Sequence, residues 1–224
     1  MSKWIRNNRG FLTVALLFGL FRTAVADWNP VPTGSMRPTI QEGDVVLVDR
    51  LAFDLKVPLT NVIVARIGEP QRGDIVTFAS PKDGTRLIKR LVALPGDVVE
   101  MRNKIVSVNG IHASYRPMAM VTEQRSDGSA IPALRLAESD GTHSHVVQWL
   151  QPPGALRQDS FGPLIVPQGQ YLMLGDNRDD SADSRYFGLV PRKLLIGRAN
   201  RILVSADIKG NWTPRLQRFG RRLD

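Results

Sequence analysis

Short β-prone runs, each opened by a Gly-Asp pair, constrain this chain more than any other feature. Gly43-Asp44 precedes VVLVDR, Gly73-Asp74 precedes IVTFA, and Gly96-Asp97 precedes VVEM. Glycine and aspartate favour turns, whereas β-branched residues favour strands. We therefore predict a mostly β fold built from antiparallel strands.

Later segments extend this pattern. Residues 104–108 (KIVSV) end at Asn109-Gly110, a pair typical of a two-residue hairpin turn. Further strands are predicted at Gln170–Leu174 and at residues 199–205. A helix is predicted at residues 191–196, because proline is favoured at the first helical position.

The N-terminal segment is basic and then apolar. Three basic residues among the first nine precede the run FLTVALLFGLF at 11–21, and Arg22 follows it. The run is apolar on all faces, so residues 1–26 are predicted to be either a retained membrane anchor or a cleavable signal peptide ending in Ala24-Val25-Ala26. In both cases the basic flank places the N-terminus in the cytoplasm and the following chain outside.

Composition excludes several classes of site. The 224 residues contain no cysteine, which rules out disulfides, zinc–thiolate sites and cysteine nucleophiles. The net charge of +9 allows contact with anionic lipid or nucleic acid. Because the chain after residue 26 is expected outside the cytoplasm, we predict no nucleic-acid partner.

Two further segments differ in character from the β-rich chain. Residues 111–165 are polar, hold all three histidines and lack sustained periodicity, so an insertion or small subdomain is predicted there. Residues 209–224 form a basic tail, which is either solvated or attracted to an anionic membrane surface. The domain between anchor and tail spans residues 27–208.

Three segments could carry chemistry. In PTGSMRPT (32–39), two prolines and a glycine fix a rigid loop around Ser35. In TRLIKRLVAL (85–94), strand alternation places Lys89 on an apolar face, opposite Arg86 and Arg90, where desolvation would lower its pKa toward that of a general base. The third segment, GDNRDDSADSRYFG (175–188), interleaves acids with arginines and predicts salt bridges within a structured loop.

The remaining catalytic machinery is a serine paired with a lysine. There is no G-x-S-x-G motif, and the histidines all lie in the insertion-like segment. A neutral lysine is a recognised substitute for the histidine of a serine protease triad. Without a demonstrated partner serine, a solvated lysine and an ordinary loop serine remain open alternatives.

Taken together, the three segments resemble the boxes of the type I signal peptidases, membrane-bound Ser/Lys endopeptidases that remove signal peptides from exported preproteins. PTGSMRPT is similar to the P-S-x-S-M-x-P-T box, RLIKRLVALPGD to the lysine box with its L-P-G-D, and GDNRDDSADSRYFG to the third box. The resemblance implies an antiparallel-sheet catalytic domain with an inserted segment, preceded by one N-terminal transmembrane helix. It favours the retained anchor over cleavage after Ala26.

The resemblance also implies roles for individual residues. Ser35 would attack the scissile carbonyl, and neutral Lys89 would take its proton. The backbone N–H of Ser35 would form half of the oxyanion hole, and the hydroxyl of Thr33, where the family usually has serine, would be the second donor. No metal and no cofactor are implied.

Supporting and substrate-binding residues follow in the same way. Ser181 would orient the Lys89 amine, and Asp183 would pair with Arg185 to hold the third box in place. Small apolar pockets would select an A-x-A pattern at the end of the signal peptide. The residues implied at the substrate site are Val31, Pro32, Met36 and Ile88.

The expected location is the bacterial cytoplasmic (inner) membrane, crossed once, with the catalytic domain on the periplasmic side. The expected partners are preprotein signal peptides and membrane lipid. Two alternatives remain: a specialised Ser/Lys peptidase with a narrow client, such as a conjugation or pilus protein, and a non-catalytic membrane-tethered β domain.

Overall fold

The described part of the chain is mostly β, as predicted. A computed structural model describes Trp4, residues 7–58, Thr60 and residues 62–124, 129–151 and 158–223. Within these residues, sixteen strands accompany one long helix, a four-residue helix α2 (Ser184–Phe187) and two single 3₁₀ turns at Arg192–Leu194 and Leu216–Arg218.

A seven-stranded antiparallel sheet organises the fold. Its strand order is β1-β2-β16-β5-β6-β14-β15. The strands are β1 (Ala26–Pro30), β2 (Asp44–Asp49), β5 (Ile75–Ala79), β6 (Arg86–Ala93), β14 (Gln170–Leu174), β15 (Val190–Pro191) and β16 (Leu195–Ser205). Both β5 and β14 flank β6, so Lys89 lies in the middle of the sheet.

Three smaller sheets surround the central one. One has the order β13-β7-β8-β9, another the order β10-β11-β12, and β3 pairs with β4. Their strands are β3 (Asp54–Lys56), β4 (Ile63–Arg66), β7 (Val98–Arg102), β8 (Ile105–Val108), β9 (Ile111–His112), β10 (Ser114–Gln124), β11 (Ala130–Ser139), β12 (Ser144–Leu150) and β13 (Phe161–Ile165). The insertion-like segment 111–165 thus supplies a three-stranded sheet of its own.

The strand predictions based on turns were accurate, whereas the predicted helix was wrong. The runs after the Gly-Asp pairs form β2, β5 and β7, and the hairpin at Asn109-Gly110 joins β8 to β9. Within residues 191–196, Pro191 ends β15, Arg192–Leu194 form one 3₁₀ turn, and Leu195 starts β16. There Leu195 is buried and pairs with Phe78 of β5, so sheet packing overrides the helix-start signal of the proline.

The N-terminal helix α1 (Arg9–Ala24) has 16 residues, none of them buried. Only Val25 separates it from β1, which pairs with β2 from Ala26 onward. No helix in the described residues is long and apolar enough to cross a membrane, so the predicted transmembrane helix is not found. Sixteen helical residues extend about 24 Å, against about 30 Å for the hydrocarbon core of a bilayer.

The C-terminal tail is folded onto the domain rather than fully solvated. Arg218 is buried and pairs with Asp44 of β2, while Lys209 pairs with Glu42 at 2.5 Å. Leu223 is buried in the core cluster that also contains Met36. These contacts fasten the tail beside the loop that carries Ser35.

Candidate active site

The loop between β1 and β2 presents Ser35 on a fixed backbone. Met36 and Ile40 are fully buried in the core cluster beneath it. A turn closed by the Arg37 N–H donating to the Gly34 carbonyl at 3.0 Å surrounds the serine. Two buried apolar side chains therefore hold the backbone while the Ser35 hydroxyl faces an open cleft.

Lys89 reaches the serine from the centre of the sheet. Its Nζ lies 2.5 Å from Ser35 Oγ, and the lysine is 2% exposed. Burial lowers the Lys89 pKa from 10.5 to about 8, because the ammonium loses its hydration; Asp183 and Asp176 oppose the shift. The structure thus brings together the serine and the lysine, and the lowered pKa makes this amine easier to deprotonate than a solvated lysine.

The third segment holds the nucleophile loop by backbone contacts. The Asn177 N–H donates to the Ser35 carbonyl, and its side-chain amide donates to the Gly34 carbonyl, each at 3.1 Å. Asp183 accepts two bonds from the Arg185 guanidinium, at 2.8 and 2.7 Å, and one from the Gly175 N–H at 2.9 Å. Asp183 is fully buried, so this ion pair fixes the whole segment.

Arg90 departs from the sequence prediction. Strand alternation placed it on the face opposite the apolar one, yet it is 2% exposed. Its guanidinium makes two bonds to Asp176, at 2.9 and 2.8 Å. Burial alone would raise the Asp176 pKa, but the charge and the hydrogen bonds of Arg90 outweigh it and keep that pKa below its usual range. Both faces of β6 are covered at this end, so alternation does not separate solvent from core.

The two predicted supporting hydroxyls differ in environment. Ser181 is 1% exposed, and its Oγ has no hydrogen-bond partner in the part of the chain that the structure describes. Ser181 packs against Gly175. A Cβ atom added at Gly175 would lie 2.5 Å from the Ser181 Cβ and 2.5 Å from the Ser35 carbonyl oxygen. Thr33 is exposed at the edge of the cleft and is available to a bound molecule.

The cleft above Ser35 has a volume of about 490 Å³. Of the residues implied at the substrate site, only Pro32 lines this cleft. Val31 and Met36 are buried in the core beneath the loop, and Ile88 packs against that core while partly buried. These three residues belong to the core and do not line the cleft.

Sequence reasoning missed the other wall of the cleft. It comes from the insertion, where Ile131, Gln148 and Leu150 face the cleft. Arg178 of the third segment clamps this sheet to the site, because its guanidinium lies 2.6 and 2.7 Å from the two oxygens of Glu138, with both residues buried. The predicted salt bridges within the segment therefore hold for Arg185 but not for Arg178, and nothing in the sequence marks Glu138 as its partner.

Comparison with known proteins identifies the family. Residues 2–204 match the family described as signal peptidase, peptidase S26. The chain belongs to the signal peptidase family S26. The predicted family and the enzyme class, a serine endopeptidase of the signal peptidase kind, are thereby confirmed.

Individual relatives of this S26 signal peptidase carry the same description. Signal peptidase I of Pseudomonas fluorescens is 31% identical, with 96% of this chain and 78% of the relative covered. Signal peptidase I of Rickettsia typhi is 33% identical, with 92% and 83% covered. A crystal structure of a signal peptidase I from Enterococcus faecalis is 31% identical over 59% of this chain and 97% of that chain, with a TM-score of 0.34.

Proposed function

We propose that this chain removes signal peptides from exported preproteins with Ser35 as nucleophile and Lys89 as general base. The observation that carries the proposal is the contact of 2.5 Å between Lys89 Nζ and Ser35 Oγ, at a lysine whose pKa burial lowers to about 8. At pH 7 about a tenth of such amines are neutral, enough to accept a proton.

The chemistry runs through an acyl-enzyme. Ser35 Oγ attacks the scissile carbonyl carbon while Lys89 Nζ accepts the hydroxyl proton, and the resulting ammonium returns that proton to the leaving amine. The Ser35 N–H and the Thr33 hydroxyl donate to the oxyanion. A water then attacks the ester, with Lys89 again as base, and frees Ser35.

Ser181 positions the base in this scheme. Its buried hydroxyl has no partner within the described residues, which leaves it free to bond the Lys89 amine when the substrate arrives. A Ser181→Ala variant should retain folding and lose part of kcat, because orientation and not protonation is affected. Unchanged kcat would show that Ser181 only fills space beside Gly175.

Substrate selection follows from the shape of the site. The preprotein would bind in extended form, adding as a strand beside the segments of Ser35 and Lys89. Val31 and Met36 lie in the core with Ile88 packed against it, and in this proposal these apolar side chains limit the depth of the site, so that only small side chains fit before the cut. This supports cleavage after A-x-A patterns.

We also propose that the catalytic domain, residues 27–208, sits at the outer, periplasmic face of the bacterial cytoplasmic membrane. Helix α1 supports this, since it exposes Phe11, Leu17 and Phe21 and buries none of its side chains in the domain. Contact of such a surface with lipid removes it from water. A test is flotation of the full chain with phosphatidylcholine vesicles, compared with a chain lacking residues 1–24.

The decisive assay follows cleavage of a preprotein carrying an A-x-A site by the full chain in detergent, with the new N-terminus read by mass spectrometry. Ser35→Ala and Lys89→Arg should both abolish cleavage, since a guanidinium does not act as a base at workable pH. The rate should rise with pH through about 8, as Lys89 loses its proton. Lys82→Arg, on an exposed turn, is the matched control.

Each outcome is informative. Retained activity in Lys89→Arg would refute the Ser/Lys mechanism. Cleavage of a single native client but not of general A-x-A preproteins would indicate the narrow-client alternative. A folded wild type without any cleavage activity would favour the non-catalytic domain.

A further inference from the structure

A basic cleft is lined by strands of the central sheet, by residues 143–145 of the insertion and by the tail, and Ser35 does not line it. It has a volume of about 930 Å³. Its lining includes five arginines but a single carboxylate, that of Asp74. None of the catalytic or supporting residues assigned above contributes to it.

Two of these arginines face each other directly. Arg201 of β16 forms an isolated antiparallel bridge with Arg222 of the tail. The flanking bonds run from the Ile202 N–H to the Arg221 carbonyl and from the Leu223 N–H to the Asn200 carbonyl, at 2.8 and 3.0 Å. This pattern makes Arg201 and Arg222 a non-hydrogen-bonded pair, the type in which opposite side chains lie closest.

The pair is not neutralised by the described part of the protein. The other three arginines of the cleft have carboxylate partners: Arg72 with Asp97, Arg90 with Asp176 and Arg198 with Asp74. For Arg201 and Arg222, no carboxylate of the described residues lies within ion-pair distance. Like charges directly opposite each other on a sheet destabilise it, so a bound anion would relieve this cost.

The arginine pair also lies near the apolar helix. In the strand register, Trp28 of β1 lies opposite Leu47 of β2, and Leu47 lies opposite Arg201 of β16. Arg201 in turn lies opposite Arg222 of the tail, so these residues form one row across four chain segments. Neighbouring strands are about 4.8 Å apart, so the row measures about 14 Å. Its first member packs on α1, with the Phe18 ring 5.6 Å from the Trp28 ring and the Arg22 guanidinium 4.4 Å above it.

We propose that Arg201 and Arg222 bind the phosphate of an anionic phospholipid headgroup. Guanidinium groups bind phosphate oxygens through paired, charge-assisted hydrogen bonds, and two of them suit a single phosphodiester. A headgroup is favoured over a free phosphate because the row joins the pair to the apolar surface of α1. The inference rests on the proposed attachment of this chain to a membrane.

The test measures lipid binding to the full chain in nonionic detergent by native mass spectrometry, with phosphatidylglycerol and phosphatidylcholine as probes. The unsubstituted chain should prefer phosphatidylglycerol. An Arg201→Gln/Arg222→Gln variant should lose about thirtyfold in affinity for it, at about 1 kcal/mol for each basic residue. An Arg116→Gln/Lys193→Gln variant removes two exposed charges outside the cleft and should bind normally.

The outcomes separate the alternatives. Equal loss in both double variants, or no preference for phosphatidylglycerol, would overturn the site. Binding of inorganic phosphate without the lipid would also overturn it, in favour of a free anion. The Arg201→Gln/Arg222→Gln variant should still cleave preprotein in detergent, which confirms its fold. Failure of the chain to float with phosphatidylcholine vesicles would instead count against the attachment by α1.

Discussion

Replacing Lys89 with methionine should stabilise this enzyme while abolishing its activity. The buried amine has a pKa of about 8, against 10.5 in its ordinary state. The folded protein therefore releases this proton more readily than the unfolded chain does. Methionine has a similar length and no charge to desolvate, so the variant avoids the cost of burial.

The size and the sign of this change in the free energy of unfolding follow from the linkage between proton binding and folding. One pKa unit corresponds to about 1.4 kcal/mol, so at pH 7 the lowered pKa costs the folded state about 3 kcal/mol. Loss of the hydrogen bond to Ser35 offsets about 1 kcal/mol, leaving the variant about 2 kcal/mol more stable. Between about pH 8 and 10.5 the unfolded chain binds more protons, so the wild type gains stability as pH rises and the advantage of the variant disappears.

The assay is urea unfolding of both proteins in the same detergent at a series of pH values from 7 to above 9. The difference in unfolding free energy should shrink by about 1.4 kcal/mol per pH unit once the pH exceeds about 8. Lys82→Met, on the exposed turn, controls for the loss of a lysine as such. A difference that stays constant with pH would refute the argument that burial lowers the pKa of Lys89.

Three further predictions address the frame around the site. Glu138→Gln leaves the Arg178 charge buried without its acid and should cost about 3–5 kcal/mol in urea unfolding; less than about 1 kcal/mol would contradict the clamp. Gly175→Ala should lower kcat, because the new Cβ would collide with the Ser181 hydroxyl and lie 2.5 Å from the Ser35 carbonyl oxygen. Thr33→Val should slow cleavage about 10²–10³-fold, and an unchanged rate would exclude its hydroxyl from the oxyanion hole.

Local chemistry was sufficient to predict β2, β5 and β7, the strands that follow the Gly-Asp pairs. Gly43, Gly73 and Gly96 all have a positive φ in the turns that precede these strands. Because glycine is the residue that adopts this conformation most readily, the turns could be predicted from the sequence. The three-stranded sheet of the insertion could not, because β10 carries mostly exposed side chains and shows no apolar alternation. Strand β10 pairs with β11, the next strand along the chain, from Gln124 opposite Ala130 to Ser114 opposite Ser139.

The site was predictable only where a motif was contiguous. Ser35 and Lys89 are identified by their boxes, and so is the pairing of Asp183 with Arg185 two residues on. The partner of Arg178 is Glu138, which lies forty residues earlier, on β11. Arg90 is buried because its guanidinium pairs with the Asp176 carboxylate. Both ion pairs depend on which segments meet in the folded molecule, which residue spacing does not reveal.

If the proposed A-x-A specificity holds, the join between α1 and β1 determines whether one copy of the enzyme can cut another. The sequence Ala24-Val25-Ala26 has the A-x-A pattern of a cleavage site, yet Ala24 ends a helix and Ala26 is already paired with Asp49. The Val25 N–H and carbonyl are both occupied, by Phe21 and Arg50. A neighbouring molecule would have to unwind the helix end and peel away β1 before it could bind this segment. Under the proposed A-x-A specificity, the folded protein thus keeps this segment out of reach of a second copy.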